Sequence, residues 1–259
     1  NIPLSENLAA RAVFYNYDRA GFIDNLGTGT EDINTEEVAG GRLAVRWDIS
    51  DRSAFNLLYL NQSQRTGGGQ ALGIQTPTST YTPVLNGPPT DISPPDLENP
   101  TFRSNIDPFF ERDWEALNLK LDINFEHFDL SLMGATKSNS RHEEIDFSLW
   151  VGLYDDVTTI LRVSEGESDV ETFEGRLVST GDGPVEWIAG VWYEDKKDDV
   201  GGGIGSFTVL TPRADLVLFG GLRASGDALL NVTTFTKSEE LAVYGEVGYR
   251  FTDQAKLTL

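Results

Sequence analysis

The stretch 116-ALNLKLDINFEHFDLSLMGAT-136 decides how this chain is read. Leu117, Leu119, Leu121 and Ile123 alternate with Asn118, Lys120, Asp122 and Asn124, the two-residue period of a strand with one apolar face. After Glu126 and His127 the phase restarts, with Phe128, Leu130 and Leu132 against Asp129 and Ser131. Two strands and a tight turn make a hairpin. What its leucine face looks at separates two classes of protein. A soluble sheet turns such a face toward a packed core, whereas a membrane barrel turns it toward lipid.

The same alternation recurs along the chain. It is read at Leu8, Ala10, Ala12 and Phe14; at Leu43, Val45 and Trp47; at Phe55, Leu57 and Tyr59; at Phe173 and Leu177; over Val185 to Asp195; and over Leu241 to Phe251, with a last strand from Ala255. With the hairpin this gives about nine strands of roughly ten residues, the length that crosses a bilayer core at a tilt. The connections alternate too. Those expected to be long are Asp18 to Glu37, Ser63 to Asp113, Ser138 to Val170 and Lys196 to Lys237. Those expected to be short are Ile49 to Ser53, Phe125 to His127, Thr180 to Pro184 and Thr252 to Gln254. Four long loops at every other connection are foreign to compact soluble domains. In an outer-membrane barrel they are expected, with short turns facing the periplasm and long loops the exterior.

Composition is compatible with this. The 259 residues carry 20 basic and 41 acidic side chains, a net charge of −21, which argues against a nucleic-acid partner. No apolar run is long enough for a transmembrane helix, but barrel strands need none. Zero cysteines exclude a disulfide framework, a thiolate metal site and a cysteine nucleophile. Aromatics gather at strand ends: Trp47, Phe125, Phe128, Trp187, Tyr249 and Phe251 beside the short turns, and Phe14, Tyr15, Tyr17, Tyr59, Trp192 and Tyr193 at the opposite ends, as two interfacial girdles would. The leucine face is therefore assigned to lipid. Arg11, Arg42, Arg46, Asn118, Lys120, Asp122, Asp129, Glu174, Arg176 and Glu246 are assigned to a polar lumen, either as a wall that guides ligand or as a solvated, charge-balanced surface.

Three segments carry a family resemblance. The segment 1-NIPLSENLAARAVFYNYDRAGFIDN-25 resembles the first barrel strand and first extracellular loop of TonB-dependent outer-membrane receptors. The hairpin 172-TFEGRLVSTGDGPVEWIAGVWYEDKKDD-199 is similar to a mid-barrel hairpin of that family, with Phe173-Glu174-Gly175-Arg176-Leu177 where members often carry Gln-Glu-Leu-Arg-Leu. The end, 239-EELAVYGEVGYRFTDQAKLTL-259, is similar to a following strand, turn and strand. The resemblance implies an all-β, partial antiparallel transmembrane barrel, from a full set of roughly 22 strands. It implies energy-coupled import of a scarce, bulky nutrient, a ferric siderophore or other iron chelate foremost. The implied partners are TonB, the lipid bilayer with its lipopolysaccharide, and a small-molecule metal chelate. The implied location is the outer membrane of a Gram-negative bacterium. Residues 1–259 are expected to be the N-terminal part of such a barrel, an internal fragment without the plug domain and the C-terminal strands. A general diffusion porin and a soluble carbohydrate-binding β-sandwich are the alternatives.

No catalytic, cofactor or metal constellation is read. Of the two histidines, His127 falls in a tight turn and His142 in 141-RHEE-144, expected within a long loop where neighbouring side chains point apart. The glycine runs 67-GGG-69 and 201-GGGIGS-206 lack the strand-to-helix setting of a phosphate cradle and are expected to be loop. The acidic runs 31-EDINTEE-37, 143-EEIDF-147 and 165-EGESD-169 either bridge divalent cations among lipid phosphates or keep loops solvated.

Overall fold

A computed structural model describes residues 1–68, 100–102, 104–148, 159–181, 183–211, 217–218, 221–222, 224–252 and 254–259. Its strands are β1 (Ile2–Ser5), β2 (Leu8–Arg19), β3 (Asp24–Asn25), β4 (Glu36–Ser50), β5 (Ser53–Gly67), β6 (Thr101–Phe102), β7 (Phe109–Asn124), β8 (Phe128–Asp146), β9 (Thr159–Ser179), β10 (Val185–Thr211), β11 (Val217–Leu218), β12 (Gly221–Leu222), β13 (Ala228–Thr252) and β14 (Ala255–Thr258). Ten of them form one antiparallel sheet in the order β1-β2-β4-β5-β7-β8-β9-β10-β13-β14, each long strand beside its neighbour in sequence. The fold is all-β, part of a transmembrane barrel, as the alternation implied. Among the described residues no second large sheet stands beside it, unlike the sandwich alternative; the other two sheets, β3-β6 and β11-β12, have two short strands each.

Register settles which residues share a face, because directly paired residues of an antiparallel ladder project to the same side. One row runs Leu8, Trp47, Phe55, Leu121, Leu132, Gly175, Val191, Val243 across eight strands. The next runs Ala10, Val45, Leu57, Leu119, Gly134, Phe173, Tyr193, Leu241. The result is a continuous apolar belt, and among the described residues no protein layer covers it: Val243 is 82% and Leu241 71% exposed. Among the described residues the buried hydrophobics are Ile23, Ile33, Ile160, Phe207 and Val209, all toward the long-loop end. There Phe147 packs edge-on against Phe207, with ring centres 4.7 Å apart, beside Ile160 and Val209.

The short turns are stitched into a rim. Asp48 N donates to Asn7 O, Asn124 N to Arg52 O, Thr180 N to His127 O and Arg250 N to Pro184 O, at 2.7–2.9 Å. Gly181 takes φ 104°, a conformation only glycine adopts without strain, in the turn between β9 and β10. The loops at the other end are tied by side chains. Asn25, 1% exposed, donates to Ile106 O and Asp107 Oδ1, both at 2.9 Å, and its own Oδ1 accepts from Gly27 N and Ser104 N at 3.0 and 2.9 Å. Thr28 and Thr30 hydroxyls donate to the two oxygens of Asp107 at 2.6 and 2.7 Å, and Asn105 N donates to Asp146 Oδ2 at 2.8 Å. Parallel pairing of β3 with β6 completes this clasp. Burial alone would raise the Asp107 carboxyl, but hydrogen bonds from Thr28, Thr30 and Asn25 outweigh it and hold the group below its ordinary value.

The structure corrects several expectations. β1 is an extra strand, four residues long, too short to show a period. β8, β9, β10 and β13 run 19 to 27 residues, far into the expected loops. Their outer ends, such as 137-KSNSRHEEID-146, are polar on both faces, so nothing alternates although the backbone pairs. His142 accordingly lies in β8, not a loop, and its ring pairs with Glu165 and Glu144, each at 3.1 Å, since residues two apart share a face. The run 201–205 lies inside β10, where the register shifts between Val200 and Ser206. The Pro-rich stretch 77–99 lies outside the described residues. Tyr15, Tyr17 and Trp192 do not join the upper girdle: they pair with Gly40, Val38 and Glu174 on the polar face, because adjacent residues of a strand cannot face the same way.

Candidate ligand-facing wall

All ten residues assigned to the polar lumen fall on the face opposite the belt. Asn118, Lys120 and Asp122 interleave with the β7 leucines, and Asn118 pairs with Leu58 and Ala135. Lys120 pairs with Asn56 and Met133, which in turn pairs with Glu174. Asp122 pairs with Ser131, and Ser131 with Arg176. Arg11, Arg42 and Arg46 pair with Ala44, Val13 and Ala9, Asp129 with Val178, and Glu246 with Ile188.

The chemistry of this face is local charge balance. Arg46 meets Asp48 at 2.8 Å and Lys120 meets Asp122 at 3.0 Å, each pair two residues apart on one strand. Ser131 Oγ adds a bond to Asp122 at 2.9 Å. Arg162 holds Glu143 at 2.9 Å, Lys196 holds Asp198 at 2.7 Å, and Glu186 receives Lys256 at 2.6 Å together with Arg250. Pairs of this kind on a solvated face contribute little stability. They make this face a polar, charge-balanced wall.

Two tyrosines brace the wall in the same way. Tyr15 on β2 lies over its cross-strand partner Gly40 and donates to Gln62 Oε1 on β5 at 2.7 Å. Tyr244 on β13 lies over Gly190 and donates to Glu174 Oε1 on β9 at 2.5 Å. A Cβ at Gly40 or Gly190 would stand 2.4 or 2.3 Å from the tyrosine ring or hydroxyl, so glycine is what lets each ring span three strands. Sequence reading missed both braces. The available signal was a glycine directly opposite a tyrosine once the hairpin register is extended.

The outer face changes character above the belt. On β7 the leucines give way to Glu115, Asp113 and Glu111; on β9 Phe173 gives way to Glu171, Asp169, Glu167 and Glu165; on β10 Tyr193 gives way to Asp195 and Asp199. Arg65, Lys197 and Lys237 are the basic side chains of this collar on β5, β10 and β13. Much of the chain's negative charge therefore sits outside the wall.

No family model matches the chain, and no curated protein does. Solved structures do. The ferric yersiniabactin uptake receptor FyuA from Yersinia pestis overlaps 97% of this chain at a TM-score of 0.63 and 14% identity. The RagAB peptide importer in its closed-closed state overlaps 96% at a TM-score of 0.56 and 15% identity. This chain spans only about a third of those proteins' lengths, 33% and 29%. At these identities the likeness concerns fold: the ten strands have the fold of a barrel segment of TonB-dependent receptors.

Proposed function

We propose that this chain is barrel wall of an energy-coupled, TonB-dependent transporter in the outer membrane of a Gram-negative bacterium. Its cargo is a scarce, bulky nutrient, in first place a ferric siderophore or other iron chelate. The observation that carries the reading is the register-locked division of one ten-stranded sheet into an uncovered apolar belt and a polar wall, with short turns at one rim and long loops at the other. That combination suits lipid outside, water inside and a ligand entrance on the loop side. The likeness to FyuA, a ferric yersiniabactin uptake receptor, supports an iron chelate, while that to RagAB, a peptide importer, supports import of bulky solutes in general.

In this reading Arg11, Arg42, Arg46, Asn118, Lys120, Asp122, Asp129, Glu174, Arg176 and Glu246 line the water-filled interior, and the ten strands continue into a larger closed barrel. Wall side chains pair with one another, as Arg46 does with Asp48 and Lys120 with Asp122, which suits a surface along which a solute passes. The test is uptake of radiolabelled iron, offered as a set of ferric siderophores, by cells carrying the full-length receptor with and without TonB. Accumulation that requires both supports the reading. Unselective, TonB-independent entry of small sugars would instead identify a diffusion pore.

A further inference from the structure

Above the belt, the polar face carries a patch that its own residues leave electrostatically incomplete. Arg112 on β7 and Arg141 on β8 are direct cross-strand partners, so two guanidinium groups project side by side from one face. Like charges directly opposed in a ladder are destabilising. Among the described residues neither arginine has a carboxylate within ion-pair distance; Arg112 donates to Asn139 Oδ1, and Arg141 extends over Gly166 on β9. The nearest acid along β8 on that face, Glu143, is held by Arg162 at 2.9 Å.

One step toward the turn, the register pairs Trp114 with Asn139, and Lys137 Nζ stands 5.7 Å from the indole ring centre. Lys137 likewise has no carboxylate partner among the described residues, and the Trp114 indole N–H is enclosed without an acceptor. The patch thus combines three cations, an aromatic plane and a surplus of hydrogen-bond donors. A ligand that brings acceptors and negative charge would complete what the described residues leave open. Two arginines rather than lysines favour planar oxyanions, which a guanidinium grips with two parallel hydrogen bonds.

We propose that Arg112, Arg141, Lys137 and Trp114 form an entry subsite for a multiply charged anion with a planar, aromatic or conjugated part, bound through its carboxylate or enolate-type oxygens. This rests on the polar face being the lumen wall. The patch lies where the reverse face has already turned from leucine to Glu115, Asp113 and Glu111, so it belongs to the vestibule above the lipid zone. A ligand captured there would be drawn in from outside before reaching the belted part of the wall.

The test is calorimetric titration of the purified full-length receptor at low salt with trimesate, a planar trianion, against its neutral triamide. The expected result is trimesate binding that weakens about ten- to a hundred-fold in Arg112→Gln and Arg141→Gln, the range for losing a hydrogen bond to a charged group. It should persist in Arg65→Gln on the outer face. The ligand-free Arg112→Gln protein should melt no lower than wild type, because it loses a repulsion. Equal binding of acid and amide, or unchanged affinity in the double glutamine variant, would overturn the subsite and leave the transporter reading standing. A cysteine at Asn139 separates the two failures, since this chain has none of its own. If an impermeant maleimide cannot reach it on intact cells, the loop end does not face the exterior, and the transporter reading fails with the subsite.

Discussion

One face of β7 changes solvent within two residues. Leu117, Leu119, Leu121 and Ile123 occupy it toward the short turn, and Glu111, Asp113 and Glu115 occupy the same face toward the loops. The backbone, the pairing and the strand direction do not change between them. What changes is what holds the strand. In the lower half, an apolar row must meet lipid and a polar row must meet water, so position is dictated by transfer free energy. On β13 the belt runs from Leu241 to Phe251, about 33 Å along the strand at 3.3 Å per residue, or roughly 23 Å of height at a 45° tilt, close to the apolar band of an outer-membrane barrel. In the upper half both faces are wet, and the strands are fixed by ladder bonds, ion pairs and the clasp centred on Asn25.

The largest effect expected breaks the lower half. Arginine at Leu121 or Leu119 in the full-length protein should cost about 2–4 kcal/mol of folding free energy in bilayers, whereas arginine at Asn118, on the other face, should be nearly neutral. Urea-induced unfolding into and out of lipid vesicles measures both. Equal costs on the two faces would show that the belt does not face lipid.

This contrast also explains what was legible in the sequence. The hairpin at Phe125 to His127, the other predicted turns and nine of the ten sheet strands were readable because transfer free energy imposes a two-residue period wherever one face meets lipid. The upper ends of β8, β9, β10 and β13 were not, because water on both sides imposes none; their strand character comes from neighbours far away in sequence. Arg112 and Arg141 were hidden for that reason. Counting outward from the turn, one residue per step on each strand, would have paired them. The clasp was beyond reach, since nothing in 20-AGFIDNLGTGTEDIN-34 names residues 104–107 as its partner.

The next effect breaks the upper half. Asn25→Ala removes two donors and two accepted bonds from a buried position and should cost about 1–3 kcal/mol locally, read as lost amide protection at Gly27 and Ser104 while the belt strands stay protected. Acid should loosen the same clasp. The Asp107 carboxyl lies below its ordinary value, so its stabilisation is complete above the unfolded-state value and is lost as pH falls through the lower, folded one. Protection factors at Thr30 and Gly27, taken relative to the intrinsic exchange rate at each pH and followed downward from neutral pH, should fall only in that acid range. A loss of protection on going to alkaline pH would contradict the assignment.

A smaller effect sharpens the boundary itself. Leu117 is the last leucine before Glu115, so Leu117→Arg should cost only about 0–1 kcal/mol, the value for a charge at the interface, against the larger cost at Leu121. A flat profile from 117 to 123 would mean that the belt extends above the point where the carboxylates begin.

The smallest effect concerns the wall. Lys120 and Asp122 make a 3.0 Å pair on the polar face with side chains 40% and 35% exposed, and Ser131 shares the same carboxylate. In water the two charges gain little over their separate hydration, and the lysine gives up rotamer freedom to hold the geometry. A double-mutant cycle with Lys120→Met and Asp122→Asn should therefore return a coupling of about 0.5 kcal/mol or less, shrinking further with added salt. A coupling several times larger and insensitive to salt would mean that the pair is shielded from water, as a domain packed against the wall would shield it. The cycle thus distinguishes an open, wetted lumen at mid-height from one filled by protein, using two residues whose partners across the sheet, Asn56 and Met133 for Lys120, Ala54 and Ser131 for Asp122, carry no charge of their own.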